Sequence, residues 1–359
     1  MDIEHKIGQL LIVGLAGTEI DAESRDMLDA VQPGGVLLST ANIESATQVL
    51  ELTGAIRSGI RVPPLIAVDQ EGGRVDRLKP ILSPMPAADL LRAANDAAAA
   101  ARLGEVTAEA LRTLGFNVNL APVLDIGFDL SAENGLRGRY LGSSAAEVVR
   151  LSGAYLEGLQ RVGIVGVGKH FPGLGGSVID SHSSLPEVDR PRDQILREDL
   201  LPYTELFSKI NARLGTILIG HGHYPAFHGP APLPATLSKN IATGLLREEL
   251  GFKGLAITDD LEMGAITSLR SIADAAVEAF EAGADMVMLS TPAGAREAWG
   301  RMIEAAKEGR LTPQRIKRSI DNVARVKSTL SPPLQFNEVN LSRLRERIGE
   351  LNVMLQHIR

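Results

Sequence analysis

The chain has 359 residues, of which 44% are hydrophobic and 23% are charged, and its formal net charge is −7. This composition is ordinary for a globular enzyme. The negative charge argues against nucleic acid as a partner, because phosphate binding needs a basic surface. The chain has no cysteine, which excludes a disulfide framework, a thiolate nucleophile and a cysteine zinc site.

The N-terminal stretch MDIEHKIGQLLIVGLAG starts with acidic residues and lacks the basic region that opens a signal peptide. No segment of the sequence is long and apolar enough to predict a membrane span. We therefore expect a cytoplasmic protein that has no membrane partner.

Eight short apolar runs recur along the chain and predict β-strands. The runs are continuous rather than alternating, as expected for strands that are buried on both faces. The predicted strands are residues 10–17, 34–40, 64–70, 116–126, 164–171, 215–221, 254–260 and 285–291.

Helical patterns separate most of these runs. Examples are residues 144–160 and residues 271–283, the second of which ends at a glycine, a common helix stop. A repeated strand–helix order predicts an α/β fold, namely a parallel (β/α)8 barrel of the TIM type that spans residues 1–359 as a single domain. A doubly wound open sheet is the alternative. The tail from Pro313 onward predicts closing helices with solvated basic faces.

Ionisable side chains gather where the predicted strands end. In a (β/α)8 barrel the active site lies at the C-terminal ends of the strands, so these side chains are the first candidates for a site. They are Asp69, Asp125, Lys169 with His170, His221, and Asp259 with Asp260.

Asp259 and Asp260 end the seventh predicted strand, directly after its apolar run. An aspartate at this place could cap a helix, but a carboxylate at a barrel mouth also suits a nucleophile or a general base. We expect Asp259 to point into the barrel mouth and Asp260 to face away or to cap.

Two further strand ends suggest ligand binding. Asp69 precedes two glycines and Arg77, and an aspartate with an arginine can clamp vicinal hydroxyls, although a structural salt bridge would read the same way. Lys169 and His170 could bind an anion, a sugar or a metal.

The loop that follows, at about residues 169–186, carries Asp180 and His182 two residues apart. In an extended segment both side chains point the same way. The carboxylate could then fix the imidazole tautomer and raise its basicity. The alternative is an aspartate turn with an incidental histidine.

His221 and His223 form an H-x-H pair after the sixth predicted strand. Such a pair can bind metal in barrel hydrolases of the amidohydrolase type, but there it normally ends the first strand. We therefore favour substrate binding by His221 and predict no metal and no cofactor.

Together these segments resemble glycoside hydrolase family 3, in its single-domain β-N-acetylglucosaminidase branch. KHFPGLGGSVIDSHSSLP has the spacing of a family motif close to K-H-F-P-G-H-G-D-T-x-x-D-S-H-x-x-L-P. Six further segments are each similar to a family block and occur along the chain in the family's order: VDQEGGRVDR, FNVNLAPVLDI, LRGRYLG, PATLS, ITDDLEM and AGADMVML. The resemblance covers nearly the whole chain.

The resemblance implies roles for individual residues. Asp259 matches the nucleophile that forms a covalent glycosyl-enzyme, His182 matches the general acid/base, and Asp180 matches its partner. Other positions match residues that bind or line the sugar site: Asp69, Arg77, Arg139, Lys169, His170 and His221. Because His182 lies on a glycine-rich loop, we expect it to move in when substrate is bound.

The implied activity is retaining hydrolysis of terminal, β-linked N-acetylglucosamine, a small carbohydrate substrate whose bacterial source is cell-wall muropeptide. Alternatives are a β-glucosidase or other family 3 glycosidase, a glycoside phosphorylase, a non-catalytic sugar-binding homologue and a metal-dependent barrel hydrolase. Leu174 and Gly176 replace a histidine and an aspartate of the family motif, and Asn42 lacks the arginine that usually precedes it.

Overall fold

The computed structural model describes residues 2–209 and 213–357. Eleven strands follow one another along the described chain, nine of them in one sheet and two in a small hairpin. They are β1 (Leu11–Gly14), β2 (Gly35–Leu38), β3 (Leu65–Val68), β4 (Gln70–Gly72), β5 (Val75–Asp76), β6 (Val118–Asn119), β7 (Val165–Gly166), β8 (Gly168–Phe171), β9 (Thr216–Ile219), β10 (Leu255–Asp260) and β11 (Met286–Leu289).

The main sheet is parallel throughout and closes into a barrel. Its strand order is β7-β6-β3-β2-β1-β11-β10-β9-β8, and only Val167 separates β7 from β8 in sequence. β7 pairs with β6 while β8 pairs with β9, so these two segments act as one strand that joins the ends of the sheet. The barrel therefore has eight strand positions, which confirms the (β/α)8 prediction over the open sheet.

All eight predicted strand regions contain a strand of this barrel. The fourth is much shorter than predicted, since only Val118–Asn119 pairs as a strand within the predicted residues 116–126. Pro122 has no N–H for a ladder bond, which ends regular pairing. Beyond it, the Leu124 N–H donates to the Lys169 carbonyl at 2.6 Å.

Helices surround the barrel. They are α1 (Ile3–Gly8), α2 (Ala22–Val31), α3 (Ala46–Gly59), α4 (Ala88–Ala94), α5 (Ala97–Thr113), α6 (Ala145–Arg161), α7 (Arg192–Gln194), α8 (Leu201–Ser208), α9 (Pro225–His228), α10 (Gly264–Thr267), α11 (Ile272–Ala282), α12 (Pro292–Lys307), α13 (Pro313–Lys327) and α14 (Glu338–His357). Wider π-type turns form Ile195–Asp199 and Asn240–Glu249, and single 3₁₀ turns form Thr40–Asn42 and Ala235–Leu237.

The two helical patterns predicted from the sequence match α6 and α11 to within one residue at each end. The Ser144 side chain accepts from the Glu147 N–H and starts α6, and Ser271 does the same for the Asp274 N–H at α11. Gly283 ends α11 at a φ of 138°, a backbone conformation that glycine adopts without strain.

The C-terminal helices close the structure as predicted. α14 buries Leu344 and Ile348, and it packs on α5 and α4. Across this contact the Arg345 guanidinium donates to the Ile81 carbonyl. In the described part of the chain, no helix combines the length and the apolar character that crossing a membrane requires.

Candidate active site

A cavity of about 120 Å³, open to solvent, lies at the C-terminal end of the barrel strands. Two loops cover its sides: residues 127–140, which follow the fourth strand position, and residues 172–186, which follow β8. Eight of the nine predicted site residues line it. They are Asp69, Arg77, Arg139, Lys169, His170, Asp180, His182 and Asp259.

Asp259 and Asp260 end β10 and have different surroundings. Asp259 lines the cavity, whereas the Asp260 carboxylate accepts from the Glu262 N–H at 3.0 Å in the turn that follows. Burial alone would raise the pKa of Asp259, but the imidazoles of His221 and His170 and the Asp260 N–H favour the anion and hold this pKa below its usual value. Burial raises the pKa of Asp260 to about 6.

Asp180 and His182 are paired through one carboxylate oxygen. Asp180 Oδ1 lies 2.7 Å from His182 Nδ1 and also accepts the backbone N–H of His182 at 2.9 Å. Because a carboxylate only accepts here, Nδ1 carries a proton and Nε2 is free to exchange one. Burial acts against the charge on Asp180, yet the two bonds from His182 hold its pKa below the ordinary value.

The glycine-rich half of this loop is anchored. Leu174 is 4% exposed, and its N–H donates to Asp125 at 2.6 Å. Tyr224 donates to the Gly173 carbonyl at 2.7 Å, and Asn134 donates to the Ser177 carbonyl at 2.9 Å. These bonds tie the glycine-rich half of the loop to neighbouring segments, and movement of His182 on substrate binding stays a prediction.

The exposed part of the loop is residues 178–184, apart from the half-buried Asp180 and the buried Ser181, and this part carries His182. In this structure it contacts the start of α10. The N–H groups of Gly264 and Ala265 donate to the carbonyls of His182 and Ser181, each at 3.3 Å. These bonds hold the histidine beside the loop that follows Asp259.

The structure shows the neighbours of Leu174 and Gly176, the two residues that differ from the family motif. Leu174 packs against Gly220 and Gly222, so an apolar side chain fills the position where the family motif has a histidine. A Cβ at Gly176 would lie 2.6 Å from the Arg190 side chain. Arg190 already pairs with Asp199 and Glu198, so its charge is balanced without an aspartate at position 176.

Glu71 organises the cations of the site, and the sequence reasoning did not identify it. Its carboxylate receives two bonds from Arg139, both 2.8 Å, and contacts Lys169 Nζ at 2.6 Å. Lys169 also lies 2.5 Å from Asp69. Burial would raise the pKa of Glu71, but Lys169 and Arg139 outweigh it and hold that pKa far below its usual range.

Asp125 orients His170 and the start of the loop. Its Oδ2 lies 2.6 Å from His170 Nδ1, and its Oδ1 accepts from Leu174. The side chain is fully buried, so Asp125 positions His170 and Leu174 and does not contact a sugar. With Nδ1 bonded to a carboxylate, His170 presents Nε2 to the cavity that it lines.

Arg77 and Asp69 both line the cavity but do not pair with each other. Arg77 donates to Thr40 Oγ1 at 3.2 Å, while Asp69 contacts Lys169. The structural salt bridge that was the alternative interpretation is therefore not formed. A sugar with two hydroxyls could be held between the carboxylate and the guanidinium.

His221 lies behind the cavity rather than in its wall. It is 0% exposed; Nε2 donates to the Asp260 carbonyl at 2.8 Å, and Nδ1 lies 2.7 Å from Thr236 Oγ1. Both ring nitrogens are therefore used by the protein, which leaves none for a sugar hydroxyl. We correct the predicted substrate contact to a positioning contact with the strand end that carries Asp259.

His223 has other partners, since its Nδ1 lies 2.9 Å from His228 Nε2. The two histidines of the H-x-H pair therefore do not face a common metal-binding position. Across residues 2–209 and 213–357, no three His, Asp or Glu side chains converge as metal ligands.

Comparisons with known proteins agree with this architecture. The chain matches the glycosyl hydrolase family 3 N terminal domain over residues 2–326. It is 39% identical over 285 residues to a β-hexosaminidase of Alkalilimnicola ehrlichii, covering 78% of this chain and 80% of that protein. A β-hexosaminidase of Idiomarina loihiensis is 34% identical over 283 residues, covering 78% and 83%.

Solved structures are similar over most of the chain. A family 3 β-N-acetylglucosaminidase from Paenibacillus superposes with a TM-score of 0.89 at 33% identity, covering 98% of this chain and 69% of that one. A family 3 glycosyl hydrolase from Mycobacterium smegmatis gives 0.83 at 30% identity, covering 93% and 98%. The chain therefore belongs to glycosyl hydrolase family 3 and is a glycoside hydrolase.

Proposed function

We propose that the protein is a retaining exo-β-N-acetylglucosaminidase that works through a covalent glycosyl-enzyme. One observation carries the proposal: a carboxylate held as the anion, Asp259, and a histidine paired with a carboxylate, His182, line the same cavity. Retaining hydrolysis needs a nucleophile at the anomeric carbon and a proton donor at the leaving oxygen.

In the first step Asp259 attacks the anomeric carbon while the bond to the leaving oxygen breaks. His182 Nε2 donates the proton that this oxygen needs, so the leaving group departs as a neutral alcohol. The step begins with a protonated imidazole, and the negative charge of Asp180 stabilises it.

In the second step the neutral imidazole takes a proton from water as the water oxygen attacks the anomeric carbon. The bond to Asp259 breaks, and the sugar leaves with its original β configuration. His182 ends the cycle protonated again. One histidine can serve as acid and then as base because an imidazole can both donate and accept a proton near neutral pH.

The remaining polar side chains support binding of one terminal sugar. Asp69 offers a carboxylate, while Lys169, Arg77 and His170 offer donors around the same cavity. The cavity sits in the barrel mouth, with loops on its sides, and this shape suits the end of a glycan better than a chain that passes through.

We base the choice of sugar on relatives, two of which carry the names β-hexosaminidase and β-N-acetylglucosaminidase. The proposed natural substrate is a terminal β-linked N-acetylglucosamine, such as that of muropeptide recycled in a bacterial cytoplasm. Phosphate is a possible acceptor in place of water, since a neutral imidazole repels an anion less than a carboxylate does.

The test is a panel of 4-nitrophenyl β-glycosides that compares the N-acetylglucosaminide, the glucoside and the xyloside. The proposal expects kcat/KM to be highest for the N-acetylglucosaminide. Turnover that favours the glucoside would point to another family 3 glycosidase, and binding without turnover would point to a sugar-binding protein. Arms with phosphate and with a chelator detect phosphorolysis and metal dependence.

A further inference from the structure

A second cavity, of about 740 Å³, lies at the opposite end of the barrel from the active site. It is lined where strands begin rather than where they end, by Val165 of β7, Thr216 of β9 and Leu255 of β10. Cavities of roughly 300–1,000 Å³ are the usual size for small-molecule sites. This space is therefore large enough for a ligand of its own.

The cavity wall carries three positive side chains and no negative one among its described lining residues. The cations are Arg213, Lys253 and Arg325. Across the described part of the chain, none of the three forms an ion pair. Arg325 is held at the wall, since its guanidinium donates to the Lys253 carbonyl at 3.1 Å and to Asn322 Oδ1 at 3.0 Å.

The rest of the wall is largely apolar. Phe207 and Phe252 line the cavity with their ring centroids 4.5 Å apart and their planes tilted by 31°. Leu214 and Val326 extend this wall toward β9 and α13. Stacked aromatic rings of this kind favour a flat or chain-like apolar body.

One buried polar group in the wall lacks a partner. Thr216 is 1% exposed, and its hydroxyl makes no hydrogen bond within residues 2–209 and 213–357. Buried hydroxyls are nearly always bonded, because an unpaired one costs free energy. This hydroxyl is closed off from solvent, so it lies in the wall behind the cavity surface.

From this combination we propose that the cavity binds a small amphipathic anion. The apolar body would lie on Phe207 and Phe252, and one oxyanion would lie among Arg213, Lys253 and Arg325. The shared ligand chemistry is a carboxylate, phosphate or sulfonate on an aromatic or alkyl body. The proposal uses no residue of the active site and does not depend on the proposed glycosidase activity.

Two matched probes test the proposal by fluorescence titration of the full-length protein. One is 8-anilinonaphthalene-1-sulfonate, and the other is N-phenyl-1-naphthylamine, which has the same rings without the sulfonate. We expect the sulfonate to bind at one saturable site with an affinity about tenfold or more above that of the neutral probe, because of the cations. Equal affinities would overturn the proposal.

Variants assign the binding to this cavity. Lys253→Glu together with Arg325→Glu should weaken sulfonate binding by about tenfold or more, and Lys253→Glu alone serves if the pair does not fold. The control, Lys307→Glu with Arg343→Glu, makes the same charge change at exposed positions outside the cavity and should leave the affinity unchanged. Equal weakening by both pairs, or by neither, would contradict the assignment.

A last arm separates the two cavities of the barrel. Asp259→Asn and saturation with N-acetylglucosamine should not change sulfonate binding, because Asp259 lies at the other end of the strands. Displacement of the probe by the sugar would place it in the active site and overturn the proposal.

Discussion

The Asp180 carboxylate lies 2.7 Å from His182 Nδ1 and also accepts the backbone N–H of His182. Two bonds to one oxygen fix both the position and the tautomer of the imidazole, although the ring itself is largely exposed. The second ring nitrogen is thereby reserved for proton exchange. A histidine on an exposed loop can act as an acid/base only if something local orients it, and Asp180 does so.

Replacing His182 by alanine should lower activity most on substrates with poor leaving groups, since these need the proton. For alkyl N-acetylglucosaminides we expect kcat/KM to fall by about 10²–10⁴-fold, the usual contribution of acid–base catalysis. The loss on a dinitrophenyl glycoside should be much smaller. Equal losses on both substrates would show that His182 does not deliver the proton.

Asp259→Asn should lower kcat/KM by about a thousandfold or more without changing the thermal unfolding temperature, because an amide cannot form the glycosyl ester. The matched control is Asp260→Asn one position later. The Asp260 side chain accepts from the Glu262 N–H, and an amide oxygen can accept the same bond. We expect this control to keep most of its activity; losing as much as the Asp259 variant would undermine the nucleophile assignment.

Glu71→Gln should destabilise the protein and weaken sugar binding. It removes the charge that pairs with both Arg139 and Lys169, and breaking a buried pair costs about 3–5 kcal/mol of unfolding free energy. KM should rise more than kcat falls, since the cations lose their fixed positions rather than their chemistry.

The control for this variant is Glu105→Gln, whose partner Arg161 is on the surface. Urea unfolding should show almost no change for the control, because exposed pairs contribute little. Similar unfolding curves for the two variants would mean that Glu71 is not a structural anchor of the site.

Lys327 should make stability depend on pH. Its ammonium contacts Gln9 Oε1 at 2.8 Å, and burial lowers its pKa to about 7. The folded state therefore holds fewer protons than the unfolded state between about pH 7 and pH 10.4, and Lys327 makes the protein more stable as pH rises through this range.

Lys327→Met removes this contribution. The free energy of unfolding of the variant, minus that of wild type, should be largest at pH 6. This difference should fall by on the order of 2 kcal/mol as pH rises to 9. Lys307→Met, at an exposed position, should give a difference that stays constant with pH. Parallel pH curves for wild type and Lys327→Met would contradict the burial of this charge.

The barrel could be predicted because its strands are buried on both faces. Continuous apolar runs such as Leu65–Val68 and Met286–Leu289 keep their pattern whatever surrounds them. The position of the cavity followed from the same reasoning, because ionisable side chains cluster at one end of those strands. Chain order alone therefore placed Asp69, Lys169 and Asp259 together.

The partners of those residues could not be predicted from chain order. In the sequence, Glu71 was one of several acidic residues in predicted turns, and Asp125 was one of several at predicted strand ends. Only the folded barrel shows that each bonds a site residue far away in sequence. The DQEGGRV motif could have indicated Glu71, since it stands three residues beyond the end of β3 at Val68.

His221 and the glycine-rich segment have contacts that the sequence did not predict. Both looked functional in the sequence because histidine and glycine often are. The structure buries His221 with both nitrogens bonded, and it anchors Gly173 and Leu174 through backbone bonds. Burial of this kind depends on contacts with Thr236, Tyr224 and Asp125, which sequence spacing does not show.

The central claim is that Asp259 forms a covalent bond to the sugar. The direct measurement is peptide mass mapping after incubation with a 5-fluoro-N-acetylglucosaminyl fluoride, which slows both steps and lets the intermediate accumulate. The account predicts one added sugar on the peptide that contains Asp259, and none on the Asp259→Asn protein. An adduct on another residue, or turnover with inversion to the α-anomer and no adduct, would contradict it.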